Sequence, residues 1–171
     1  MASKKHYVLV SVTLGAIAAA SGLLIAGTNL LTEKRIDQNK EIKINNGIES
    51  IYGKDCEVSL RKEIKNDSYK HVEYVYEIKD SGYAFKTSDS NMYGNITLII
   101  GFNLKNEFMS LSVVNNEQTY AQTLVDNYLN PVNAGERNID DVSCGATYGA
   151  TLVRSMINEA KAACEEKVWK Q

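Results

Sequence analysis

The chain has 171 residues, enough for one domain and an appendage, with 19 Lys and Arg against 21 Asp and Glu. A net charge of -2, with basic residues scattered among acids, leaves no basic face to neutralise phosphates and excludes a nucleic-acid binder. Its three cysteines, Cys56, Cys144 and Cys164, lack CxxC or finger spacing, so neither a metal site nor a disulfide framework is indicated.

The chain opens with a short N-terminal tail, 1–6, and an apolar stretch, 7–32, that carries no formal charge. As a helix that stretch is long enough to cross a hydrocarbon core of about 30 Å. The competing reading is a cleaved signal peptide, with Lys4 and Lys5 as its charged start and Ala18-Ala19-Ala20 as its small-residue site. The apolar run continues past those alanines through Leu23, Leu24 and Ile25. It thus exceeds the roughly 7–15 residues of a signal core, which favours an uncleaved transmembrane anchor. Lys4 and Lys5 on one side are answered by Lys34, Arg35, Lys40 and Lys43 on the other, so the positive-inside count leaves orientation open. Ala18, Gly22 and Ala26 recur at four-residue spacing, a stripe that permits close approach of another helix.

Residues 33–54 turn polar, with Ile44, Ile48 and Ile51 at helical spacing and Asn45-Asn46-Gly47 interrupting. The pattern predicts a stalk helix whose apolar stripe packs on the domain that follows, 55–171. Residues 55–70 mix charges without a period, which predicts irregular structure or a short helix. Alternation begins at His71 and puts Val72, Tyr74, Tyr76 and Ile78 on one strand face. Asp80-Ser81-Gly82 reads as a turn, followed by Gly82-Tyr83-Ala84-Phe85 and then by 93–102, whose Leu98, Ile99 and Ile100 form an apolar run. A turn at 103–106 and a strand at 108–114 make a hairpin. His71 has no partner of metal-ligand type near it in sequence, and His6 lies at the membrane edge. No metal site is expected, and with no Ser/His/Asp or Cys/His constellation no catalytic residue is assigned. A Gly-rich dinucleotide fingerprint is also missing.

Residues 118–128 read as a helix with Leu124, Val125 and Tyr128 inward, and 127–138 as a loop holding Pro131 and Gly135. This loop delivers the chain to Asp141-Val142-Ser143-Cys144-Gly145-Ala146-Thr147. Beyond it Val153, Ile157, Ala160, Cys164 and Val168 recur at three or four, an amphipathic helix that covers the sheet. The expected fold is therefore α+β, an antiparallel sheet with flanking helices, preceded by one N-terminal transmembrane helix. Gly145 and Ala146 let backbone approach a bulky group, and the helix N-terminus behind them presents unpaired N–H groups and a positive dipole end to an anion. The alternative is an ordinary N-cap made by Ser143 or Thr147.

Residues 141–147 resemble the flavinylation motif of FMN-binding domains, which runs Asp, two variable residues, Ser or Thr, Gly, Ala, Thr. Asp141, Gly145, Ala146 and Thr147 match, Ser143 falls on a variable position, and Cys144 stands where the family has Ser or Thr. The family includes the G subunit of the Rnf ferredoxin:NAD oxidoreductase and the C subunit of the sodium-pumping NADH:quinone reductase. The resemblance implies FMN joined through its phosphate to Thr147 by a separate FMN transferase that uses FAD as donor. A second block is also similar to the family: Gly82-Tyr83-Ala84-Phe85 and a strand closing on Gly101-Phe102. Where the family carries Glu-Thr-Pro-Gly this chain has Asn116-Glu117-Gln118-Thr119, which implies Glu117 and Thr119 at the flavin. Because a thiol donates more weakly than a hydroxyl, Cys144→Ser is expected to preserve or improve flavin loading.

The resemblance covers roughly 82–161, and the anchor matches only in type. It implies a membrane-anchored covalent flavoprotein that carries electrons, a subunit of an Rnf-like ion-translocating complex rather than an independent enzyme. Its partners are then the membrane, the other subunits and the transferase, with the N-terminus cytoplasmic and the flavin domain on the outer face. Two alternatives stay open: a free-standing surface flavoprotein in extracellular electron transfer, and a membrane-anchored binding domain that carries no flavin.

Overall fold

The computed structural model describes residues 4–65 and 67–170, so 1–3 of the expected tail lie outside the described residues. The chain divides into two compact units, Met1–Glu41 and Ile42–Gln171.

The first unit is helical. Within helix α1 (Lys4–Tyr52), Tyr7–Asn29 is long and apolar enough to cross a membrane, with a mean hydropathy of 2.3. Its large side chains, among them Leu9, Leu14, Ile17 and Leu23, are exposed, the pattern of a helix suited to an apolar surrounding. Hydroxyls of Thr13, Thr28 and Thr32 bond back to the carbonyls of Leu9, Leu24 and Thr28 at 2.8, 2.9 and 2.7 Å, so they present no unpaired polar group to hydrocarbon. Gly22 and Ala26 line a shallow depression with Ile25 and Asn29.

The second unit holds five antiparallel strands in chain order: β1 (Val58–Glu63), β2 (Val72–Ile78), β3 (Gly82–Asn91), β4 (Gly94–Asn103) and β5 (Phe108–Asn116). Alternation along β3 and β4 sends Phe85, Leu98, Ile100 and Phe102 into a larger core and Ala84 and Ile99 into a smaller one on the opposite face. Over the larger core lie a helical segment, 121–133, and α4 (Thr147–Glu166). Helix α4 buries Val153, Ile157, Ala160 and Cys164, as their spacing predicts. Trp169 packs on Phe85 with ring centroids 5.5 Å apart. The smaller core takes Ile44 and Ile48 from the end of α1, with Ile51 and Tyr52 beside them. Tyr52 inserts its hydroxyl between β3 and β4, donating to the Tyr83 carbonyl at 2.7 Å and accepting from the Phe102 N–H at 3.0 Å. Burial pushes that phenol well above its ordinary range.

Four expectations need correction. Asn45-Asn46-Gly47 does not interrupt the helix, because Gly47 is a packing residue: a Cβ there would stand 3.0 Å from Ile99 Cγ1. Residues 55–70 contain a strand, β1, which sequence alternation could not reveal because all six of its residues are exposed on the sheet edge. On β2 the expected single face splits. A register shift between Val72 and Tyr74 turns Val72 toward the larger core while Tyr76 and Ile78 face the smaller one. Residues 127–138 are not all loop, since helix continues through Asn133.

Candidate functional site

One wall of the site grows from the β3–β4 hairpin. Asn91 pairs with Gly94 across a two-residue turn, Met92-Tyr93. Gly94 has φ +131°, and a Cβ there would lie 2.1 Å from the Glu117 carbonyl oxygen, so the chain leaving β5 presses directly on the hairpin. Glu117 N–H donates to Asn95 O at 2.8 Å, and Thr119 N–H to Tyr93 O at 2.8 Å. Between them Gln118 is buried and its side-chain amide donates to Gly94 O. Tyr120 follows, its ring centroid 5.9 Å from that of Tyr93.

Behind the opposite wall lies the helical segment, α2 (Ala121–Leu124), a π turn (Val125–Leu129) and α3 (Asn130–Asn133). Pro131 has no N–H to offer the carbonyl four residues back, that of Asn127. Arg137 Nη1 donates to that oxygen instead. The same guanidinium grips the following loop, with Nε and Nη2 each 3.1 Å from Asp141 Oδ2 and Nη2 3.0 Å from Ser143 O. Two further side chains of the π turn hold this loop: Asn127 Nδ2 donates to Cys144 O at 3.1 Å, and the Tyr128 hydroxyl to Ile139 O at 2.5 Å. Burial pushes the Tyr128 phenol up to about 12, which keeps it a neutral donor. A π turn carrying site-organising residues is a recurring use of that geometry.

The loop ends at α4. Its N-cap is Ala146, with φ -121° and no side-chain cap, so capping by Ser143 or Thr147 does not occur. The first intrahelical bond runs from Ala150 N–H to Ala146 O at 3.0 Å, which leaves the amides of Thr147, Tyr148 and Gly149 at the uncapped end. Gly145 makes the turn into the helix at φ +81°, and a Cβ on Gly149 would stand 3.0 Å from Leu124 Cδ2. Between the walls is a cleft of about 260 Å³ lined by Tyr93, Gln118, Tyr120, Leu124, Gly145, Ala146, Thr147, Tyr148 and Gly149. None of these side chains carries a charge, so the helix dipole and its amides are the electropositive feature of the lining.

Of the residues singled out in the sequence, Gly145, Ala146 and the exposed Thr147 come together in the cleft. Asp141 and Ser143 do not line it; they fasten the loop, with Ser143 N–H also 3.3 Å from Asp141 Oδ1. Cys144 is turned into the larger core, 7% exposed. Glu117 and Thr119 flank Gln118 on the hairpin, both exposed, and neither lines the cleft. Tyr93, Gln118, Tyr120, Leu124, Tyr148 and Gly149 also line the cleft, and the sequence did not mark them as site residues. Tyr93, Tyr120 and Tyr148 are far apart in sequence, and only the packing of the β3–β4 turn, the start of α2 and α4 brings them together.

His71 also departs from expectation. Its imidazole lies between two carboxylates, Nε2 2.8 Å from Asp89 Oδ2 and Nδ1 2.6 Å from Glu159 Oε1, and its backbone N–H donates to Glu159 Oε2 at 2.9 Å. The arrangement ties the start of β2 to β3 and α4. Among the described residues no group of three or more His, Cys, Asp and Glu could hold a metal ion.

No curated protein matches the chain. A family signal does exist, in the segment where the sequence offered likeness of type alone: residues 1–49 match the model described as RnfG N-terminal region. With its single apolar helix, this segment fits a membrane anchor. Over these residues the chain is similar to RnfG N-terminal regions, which supports a G-type subunit of an Rnf membrane complex.

Proposed function

We propose that this protein is a covalent flavoprotein that carries electrons within an Rnf-type complex, with FMN esterified through its phosphate to Thr147. The observation that carries the reading is the position of Thr147: an exposed hydroxyl on the first residue of an uncapped helix, opening on a cleft. The residues present fit such a group. The free amides of 147–149 and the dipole of α4 suit a phosphate, and Gly149 leaves room beside Leu124 that any side chain would fill. The cleft, about 260 Å³, is smaller than the roughly 300–1,000 Å³ of pockets that enclose a whole ligand of this size. A covalent tether offsets that by keeping the local concentration high.

When bound, the flavin supplies the redox chemistry. The chain does the rest. Thr147 would supply the ester oxygen and give up its proton as the FMN transferase breaks the pyrophosphate bond of FAD, with AMP as the leaving group. Arg137, Asp141, Ser143, Asn127 and Cys144 fix the loop that presents it, and Gln118 holds the facing hairpin. Glu117 and Thr119, which the resemblance implies at the flavin, flank Gln118 on the same side outside the lining. The domain sits on the outer face of the membrane in this reading. Lacking a nucleotide fingerprint, it oxidises little NADH by itself.

The full chain, produced with an FMN transferase, should give a fluorescent band that survives denaturing electrophoresis. Thr147→Ala should abolish it while Thr151→Ala keeps it. A band persisting in Thr147→Ala overturns the assignment. Sidedness is tested by proteolysis of intact spheroplasts, which should remove the domain.

A further inference from the structure

We propose that Tyr93, Tyr120 and Tyr148 form the wall on which the ring of the tethered flavin stacks, an inference that rests on the assignment of FMN to Thr147. The three tyrosines come from separate elements: the β3–β4 turn, the residue before α2, and the first turn of α4. Tyr93 is the hub, its ring centroid 5.9 Å from that of Tyr120 and 5.4 Å from that of Tyr148, with interplanar angles of 57° and 40°. All three line the cleft. Tyr120 and Tyr148 are nevertheless 53% and 66% exposed, so their large apolar faces are spent neither on the core nor on each other.

The chemistry of the cleft selects what covers them. Its lining has no charged side chain, so an anionic group belongs at the end formed by the α4 amides and an uncharged, flat aromatic one along the tyrosines. Tyr148 directly follows Thr147 and Tyr93 packs against it, so the wall begins at the attachment residue itself. Gln118, held by its bond to Gly94 O, lies between the hairpin and α4, its Oε1 3.4 Å from where a Cβ on Gly149 would stand.

A tyrosine in contact with a photoexcited flavin lends it an electron and recovers it before light is emitted. The phenol is oxidised and then re-reduced, with no net chemistry. Stacking therefore predicts a dim native protein. The test uses the full chain in detergent, flavinylated in the cell, with attachment read from the denatured gel and stacking read from emission intensity and lifetime before and after urea. Native emission should be several-fold weaker than unfolded emission. Tyr93→Leu should brighten the native state most, and Tyr120→Leu and Tyr148→Leu, at exposed positions that tolerate change, should each do so by less. Tyr93→Phe, which keeps the ring and the fold, should restore emission while preserving the absorption shift of a stacked flavin. Equal native and unfolded emission, or native emission unchanged in all three Leu variants, overturns the wall and leaves the Thr147 assignment standing. A wild-type chain without a gel band overturns that assignment instead.

Discussion

On one side of the cleft, 145–149 is a single run in which the Gly145 turn, the uncapped helix end and the exposed Thr147 hydroxyl are sequence neighbours. The facing side joins Tyr93 and Gly94 to Gln118 and Tyr120, and the bond that locks it spans 24 residues. The first side is local and would keep much of its shape if the sheet shifted. The second exists only while β3, β4 and the chain beyond β5 hold their register. Attachment chemistry thus rests on a local feature and ring positioning on a global one, so the two should fail separately.

The sharpest break is Gly94→Ala. The backbone there is at φ +131° and a Cβ would collide with the Glu117 carbonyl. Strain of about 1–3 kcal/mol and overpacking of a similar size together predict a loss of about 3 kcal/mol or more. Thermal melts should show that loss. In the surviving folded fraction the hairpin side should open while Thr147 still accepts flavin; an unchanged melting temperature would refute the described contact.

Arg137→Ala breaks the other side. It removes the donors to Asp141, Ser143 and Asn127 together, with an expected cost of about 1–3 kcal/mol and slower flavin loading. Arg137→Lys keeps the charge without the fork and should recover only part of both. Loading at the wild-type rate in Arg137→Ala would show that the loop holds its shape without the clamp.

The same contrast explains what the sequence could disclose. Gly145, Ala146 and Thr147 were legible because their geometry follows from adjacency and from the helix behind them. Likewise β3 and β4 were legible from apolar alternation, and α4 from its period. Arg137 was not, because its role depends on Pro131 lying inside a helix and leaving the Asn127 carbonyl free, whereas proline in sequence argues for a loop. The exposed edge strand β1 left no alternation to read. Glu117 was assigned to the site through the family resemblance; in the structure it is exposed outside the cleft lining, and its buried neighbour Gln118 lines the cleft. The anchor was legible as a span, and its family likeness needed the comparison with RnfG N-terminal regions.

A smaller effect, and one that depends on pH, attaches to Tyr128. Burial raises its phenol from 10.0 to about 12. Folding therefore favours the protonated form, whose contribution is complete below pH 10 and is lost as pH rises through about 12. Tyr128→Phe should cost about 1 kcal/mol at neutral pH, for the bond to Ile139 O. It should also remove part of the alkaline destabilisation in that window. Parallel melts of the two proteins between pH 7 and pH 12 check this, and identical alkaline slopes would exclude the Tyr128 phenol as a contributor.

The smallest effect separates fold from site at a single position, Cys144. The sequence placed it at the phosphate, where a serine should donate better than a thiol. In the structure its side chain faces the larger core, 7% exposed, and only its carbonyl takes part in the loop, through Asn127. Cys144→Ser therefore moves a hydroxyl into apolar surroundings, at a cost of about 1 kcal/mol if it finds no partner, and changes nothing that lines the cleft. Flavin per chain on the denatured gel should stay at the wild-type level while the melting temperature falls slightly. Loading that drops with stability unchanged would give the thiol a part in attachment that its burial argues against. Loading that rises would mean that the loop turns this residue outward while the transferase is bound.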